Sequence, residues 1–281
     1  FQTPRPALIV FSSQDMKPWH FWVSMVAMAG FSFLLSQDAI ARLAWQRYGN
    51  VPVALTLVSR NAELAMQIGN YYFGRGGYDL ERAERGYQKA LRAQPGILWG
   101  HYQLARIHFV RGDYEKALEE ISGELAANPQ NLRSLYVRGL IYGYRGYPGD
   151  FAKAEEDFRR FTKWAPKEWA GYNDLAWVLA KQGKHREAKQ VIEAAFQEVP
   201  TAGENPWLWN SLGVAELNLK EYREANAAFI KAKELAEGLT PADWQGAYPG
   251  NNPSEAASGL TAFRAAIEEN LRRAQGVEKS G

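Results

Sequence analysis

Cysteine is absent from the chain, which excludes disulfides and thiolate metal sites and leaves the redox compartment open. A dominant charge is missing too. The 33 basic and 31 acidic residues leave a net charge of +2, which removes the electrostatic case for nucleic acid. Histidine is scarce, and His101 and His108, two helical turns apart, have no third ligand at metal spacing. Gly74-Arg75-Gly76-Gly77 lacks the following Lys-Ser or Lys-Thr of a phosphate cradle. The acidic runs Glu119-Glu120 and Glu155-Glu156-Asp157 read as solvated helix faces. No catalytic arrangement stands out, so the expectation is a binding protein rather than an enzyme, with no cofactor, metal or small-molecule substrate. An initiator methionine is also lacking: the chain begins at Phe1, as expected of a processed N-terminus or of the downstream part of something longer.

Long uncharged runs are lacking with one exception, Trp19 to Leu35. At ~1.5 Å per residue this run falls just short of the ~30 Å hydrocarbon thickness. Trp19 and Trp22 suit an interfacial belt, and Phe31, Phe33, Leu34 and Leu35 form an apolar far end. The favoured reading is a single-pass membrane anchor over residues 19–36, touching the bilayer. A cleavable signal peptide using Ala27-Met28-Ala29 and a buried helix capping the rest of the chain are the alternatives. Arg5 and Lys17 on one side and Arg42 and Arg47 on the other determine orientation poorly; the balance tilts towards repeats outside the cytoplasm. Residues 1–18 read as a tail. Residues 37–61 read either as juxtamembrane helices with a linker or as a degenerate opening repeat.

What the chain has in quantity is periodicity. Leu98 to Asn131 carries Leu104-Ala105, Gly112-Asp113-Tyr114, Ala117 and a closing Asn128-Pro129. The landmarks return as Leu175-Ala176, Gly183, Ala188 and Pro200, and Pro129, Pro166 and Pro200 stand 37 and 34 residues apart. A period of about 34 residues is the mark of a two-helix solenoid. It divides the chain into five units, over residues 62–97, 98–131, 132–168, 169–205 and 206–237. Gly69, Ala105, Gly139, Ala176 and Gly213 leave room for the second helix of each unit, and Ala83, Ala117, Ala154, Ala188 and Ala225 supply the reciprocal small surface. Each closing proline ends a second helix, because the residue before it is pushed out of helical geometry.

This pattern resembles the tetratricopeptide repeat family over residues 62–237. The resemblance implies an all-α fold, a right-handed α-solenoid of about five helix hairpins. Its concave groove, lined mainly by first helices, would bind protein or peptide partners. The groove positions carried over unit by unit are Asn70 and Phe73; Trp99, Tyr102 and Arg106; Arg133 and Tyr136; Asn173 and Trp177; Trp207 and Asn210. Aromatics offer apolar area at low entropic cost, and the asparagine amides both donate and accept. Packing between adjacent first helices is the competing explanation for Tyr102, Tyr136 and Trp177, whereas Arg106 and Asn173 are hard to explain as core. One subgroup clamps C-terminal carboxylates with a lysine one turn before an asparagine. Met66 stands at the lysine position before Asn70, so that clamp is not expected.

Residues 238–253 read as a loop whose Trp244 and Tyr248 pack on the end of the array. Residues 254–281 read as a capping helix and tail, with Leu260, Phe263, Ile267 and Leu271 on one apolar stripe. Taken together, the expected function is a membrane-anchored scaffold serving as a subunit or assembly factor of a membrane complex. The alternative is the C-terminal repeat portion of a larger polytopic enzyme similar to O-antigen ligases and polymerases.

Overall fold

A computed structural model describes residues 18–75, 77–248 and 252–278. Among the described residues all regular structure is helical. Helix α1 (Pro18–Gln46) and α2 (Val51–Leu57) open the chain. Next come five hairpins: α3 (Ala62–Asn70) with α4 (Leu80–Ala93), α5 (Gly100–Val110) with α6 (Tyr114–Ala127), α7 (Leu132–Arg145) with α8 (Asp150–Trp164), α9 (Trp169–Lys181) with α10 (His185–Glu198), and α11 (Pro206–Asn218) with α12 (Tyr222–Glu237). A short α13 (Pro241–Ala247) and the long α14 (Ala256–Glu278) complete it. Each helix packs on its partner and on the next unit, and α14 lies along α12. Burial is therefore assembled by stacking: one core cluster runs from Tyr102 to Ala228 and another from Ala41 to Ile107.

Two constraints shape every hairpin. The first is volume at the crossing of its helices. In the first, third and fifth units a glycine faces a wholly buried ring: Gly69 against Tyr87, Gly139 against Phe158, Gly213 against Phe229. A Cβ on these glycines would lie 2.5, 2.8 and 2.6 Å from the ring carbons. At the same position in the second and fourth units stand Ala105 and Ala176, in one core cluster with the buried Ile121 and Ile192, which take the places of the rings in the repeat. Small with large and medium with medium fill a similar space, as close packing requires.

The second constraint is the turn. Residues with left-handed backbone precede each second helix: Gly77 (φ 84°) and Tyr78 (58°), Gly112 (77°), Gly146 (64°) and Gly149 (84°), Gly183 (75°), and Lys220 (66°). Glycine adopts this region without strain, so Tyr78 and Lys220 hold it at a cost of about 1 kcal/mol each. The first unit, about two residues longer than the period of about 34, carries a π-helical turn over Tyr71–Arg75.

Residues 19–36, the expected membrane anchor, lie on α1. That stretch is helical, yet among the described residues no helix is long and apolar enough to cross a membrane. His20, Ser24, Ser32 and Ser36 interrupt the run, and Gln37, Asp38 and Arg42 come next on the same helix. Trp19 and Trp22 are exposed, while the side chains of Phe31, Phe33, Leu34 and Leu35 lie outside the described residues. Packing of α1 is established by Ala41 and Ala44, which are buried with Val51, Ala54 and Leu55 of α2. The Asp38 carboxylate accepts hydrogen bonds from the Ser59 and Arg60 amides at 2.8 and 3.0 Å. The end of α1 and α2 thus form a shortened hairpin at the head of the array.

The volume rule is testable by exchange. Gly213→Ala overpacks the crossing against Phe229 and should cost about 1–3 kcal/mol, less whatever alanine adds in helix propensity. Phe229→Ile should cost a similar amount by leaving a void. Together they recreate the pairing of the second and fourth units, so urea unfolding of the double variant should show about 1 kcal/mol or more of favourable coupling. Simple additivity would refute the rule.

Candidate partner-binding groove

The concave side is lined by first helices, and the segment after α12 crosses it. Capping fixes where that segment starts: the Thr240 hydroxyl accepts from the Asp243 amide, and the Asp243 carboxylate accepts from the Thr240 amide at 2.7 Å. The indole of Trp244 lies against Gly259 of α14, where a side chain would collide with the ring. Tyr248 then turns into the groove. Its ring meets Trp169 edge-on at 5.5 Å; Trp169 stacks on Trp207 at 5.3 Å, and Trp207 on Phe263 of α14 at 5.0 Å. Packing of the loop aromatics on the array's end was the expectation. Tyr248 instead enters the concave face, because α9 presents it with a polar floor.

That floor is a connected set of hydrogen bonds. The Tyr136 hydroxyl donates to Asp174 Oδ2 at 2.6 Å. Asn173 Nδ2 donates to the Tyr248 hydroxyl at 2.7 Å and to Asp174 Oδ1 at 3.3 Å. Tyr248 donates onward to Asp174 Oδ1 at 3.5 Å, and Ser211 Oγ donates to Asn173 Oδ1 at 2.7 Å. Burial raises the Asp174 carboxyl to about 7, against the opposing pull of its three donors. Burial, followed by the charge of Asp174, holds the Tyr136 and Tyr248 hydroxyls well above the usual phenol range.

Space remains on both sides of Tyr248. A cavity of about 920 Å³ opens between Phe109, Leu140, Tyr144, Asn173, Trp177 and Asn210, closed above by Trp244, Tyr248, Asn252 and Glu255. A second, of about 520 Å³, lies between Tyr102, Arg133, Tyr136, Glu168 and Trp169. The groove positions from the sequence therefore divide. Asn173, Trp177 and Asn210 meet in the larger cavity, and Tyr102, Arg133 and Tyr136 in the smaller. Of these Arg133 is exposed at a rim, Trp177 packs on the exposed ring of Tyr144 at 5.1 Å, and Asn210 Oδ1 accepts from Asn270 of α14 at 3.1 Å.

The others meet neighbouring side chains, Asn70 and Trp99 while remaining exposed. Asn70 Oδ1 accepts from the Tyr87 hydroxyl and from Gln103, both at 3.0 Å. Phe73 is buried beneath the Arg106 guanidinium, 4.4 Å from its ring. Arg106 Nη1 donates to Gln103 at 2.9 Å, while its Nε is buried without a partner among the described residues. Trp99 has left-handed backbone and meets Tyr102 edge-on at 5.2 Å; buried Glu124 receives the Trp99 amide at 3.2 Å. Trp207 is enclosed between the rings of Trp169 and Phe263. Of the histidines, His101 Nδ1 faces Glu120 at 2.7 Å and His108 is buried.

A model of the tetratricopeptide repeat matches residues 66–132, 145–203 and 173–240, more than half of the chain. The chain belongs to the tetratricopeptide repeat family. It is 26% identical over 149 residues to the BBSome complex member BBS4 of Bos taurus, a match covering 53% of this chain and 27% of that protein. It is 30% identical over 138 residues to the cellulose synthase operon protein C of Pseudomonas fluorescens (strain SBW25), covering 49% and 10%. The matched region is thus about a quarter or less of these relatives' length. Among solved structures, MamA residues 41 to the end from Desulfovibrio magneticus RS-1 aligns with a TM-score of 0.56 at 19% identity, covering 65% of this chain and 98% of that one. YrrB, described as a TPR protein with an unusual peptide-binding site, aligns at 0.52 and 18% identity, covering 64% and 88%. These likenesses establish the repeat fold.

The desolvated carboxyl of Asp174 has a definite pH signature. Below about pH 4 it is protonated folded and unfolded alike. Between about 4 and 7 only the unfolded chain releases the proton, so this group's contribution to stability falls as pH rises and is exhausted above about 7. Asp174→Asn should therefore gain on the wild type between pH 5 and pH 8, on the order of 3 kcal/mol in urea unfolding. A constant difference across that range would mean an ordinary carboxylate.

Proposed function

We propose that this tetratricopeptide array is a scaffold that holds a segment of a partner protein in its concave groove. One observation carries the reading: first helices of successive units enclose a cavity of about 920 Å³ with aromatic and amide side chains. Such a lining supplies apolar area and backbone-matching donors and acceptors. Function as a subunit or assembly factor of a membrane complex belongs to this reading. It is supported by the apolar, exposed residues Trp19, Trp22, Val23, Val26 and Met28 at the start of α1, which suit a helix in contact with a bilayer.

The groove is tested by affinity capture in mild detergent. Tyr144 is exposed and Arg133 lies at a rim, so Tyr144→Ala and Arg133→Glu should leave thermal unfolding within a few degrees. Capture of the partner that co-purifies with the wild type should drop about tenfold or more. Undiminished capture by both variants would place the binding surface elsewhere. Separately, Val26→Glu should reduce flotation of the protein with anionic liposomes; flotation unchanged by it would remove the membrane from this picture.

A further inference from the structure

The chain itself already occupies its groove, and the occupant shows what the groove selects. Among the described residues Tyr248 lines both cavities, and no residue of α13 is buried. The segment is thus held by one hydroxylated ring at the floor and one indole one helical turn earlier, against Gly259. The floor suits a phenol in particular. Asn173 donates to the hydroxyl at 2.7 Å, and Asp174 stands ready to accept its proton at 3.5 Å. A phenylalanine would leave the Asn173 amide short of an acceptor, and a phosphotyrosine would drive its charge against the Asp174 carboxyl.

From this geometry we infer that the groove recognises an unmodified tyrosine on a partner segment, preceded one helical turn earlier by a tryptophan. Residues 240–248 hold the same site in cis, so the partner must displace them. The inference rests on the partner-binding role proposed for the groove and adds the chemistry of the partner. A tethered occupant competes at an effective concentration in the millimolar range. Free ligands therefore meet a closed site, and their apparent affinity falls by the fraction of chains that are open.

The probe is a fluorescent, C-terminally amidated peptide of residues 240–248, titrated into the full chain by anisotropy. Tyr248→Ala should bind it about tenfold or more tighter than the wild type, because the cis competitor has lost its anchor. Tyr248→Phe, which keeps the ring, guards against misfolding of the alanine variant and should fall between the two. With Tyr248→Ala as acceptor, replacing the peptide's tyrosine by phenylalanine should weaken binding about tenfold. Phosphorylating it should abolish binding, and adding Asn173→Ala to the acceptor should weaken binding of the tyrosine peptide by up to about tenfold. Equal affinity for the wild-type and Tyr248→Ala chains, or a phenylalanine or phosphotyrosine peptide binding as well as the tyrosine one, overturns the inference. Partner capture that still depends on Tyr144 and Arg133 while the peptide fails would leave the groove standing and sink only its tyrosine selectivity.

Discussion

The array depends on how closely two helices of one hairpin approach, and a single pair of positions sets that approach. Gly69, Gly139 and Gly213 admit a tyrosine or phenylalanine ring, whereas Ala105 and Ala176 share their core cluster with an isoleucine at the ring's place in the repeat. Interhelical distance is set by the side chains at the contact. Conserving summed volume across that contact keeps successive hairpins alike although their residues differ. Similar hairpins stack at a similar angle, and regular stacking is what produces a continuous concave wall. The left-handed residue before each second helix does the matching work at the turn. Glycine holds that place in the second, third and fourth units, and Tyr78 and Lys220 hold it in the first and fifth.

Much of this could be read from residue types alone. Small residues at fixed spacing have few explanations other than close helix approach, and a period of about 34 residues has few other than stacked hairpins. The coupling of glycine with an aromatic partner was harder to see. It spans 18, 19 and 16 residues in the three units because of the extra turn residues, so no constant offset announces it. Groove positions were readable as a face, not as free surface. Asn70, Phe73 and Arg106 occupy the expected side, where Tyr87 and Gln103 reach the Asn70 carbonyl, Gln103 meets Arg106, and Arg106 covers the Phe73 ring. A repeat pattern locates a helix face; it does not say which neighbour reaches across it.

Tyr248 lay beyond sequence reasoning for a related reason. It is 75 residues from Asn173, outside the repeats, in a segment rich in glycine, proline and asparagine that has no periodicity to direct it. The one signal available was the pair of aromatics Trp244 and Tyr248 in an otherwise polar stretch, which points to packing somewhere and not to a place. Likewise, lack of charge over residues 19–35 reveals apolar character, while among the described residues no helix is long and apolar enough to cross a membrane.

Asp174 shows where the groove departs from what stacking alone would favour. An apolar residue there would seal the floor between α7, α9 and α11 without desolvation cost, since buried ionisable groups rarely outdo hydrophobic replacements of similar shape. The cost is moderated because Tyr136, Asn173 and Tyr248 each donate to the carboxyl, and because the group can remain protonated up to about pH 7. Two of those donors, Tyr136 and Asn173, belong to first helices of the array and are always in place. The third, Tyr248, arrives only when the C-terminal segment is seated. Removing it leaves a buried carboxyl with one donor fewer and an Asn173 amide without its hydroxyl, and unmet polar groups in a desolvated site raise the free energy of the open state. The same polar floor that makes the array less stable than an apolar one therefore makes it selective, because an occupant without a hydroxyl at that depth cannot restore what opening removes.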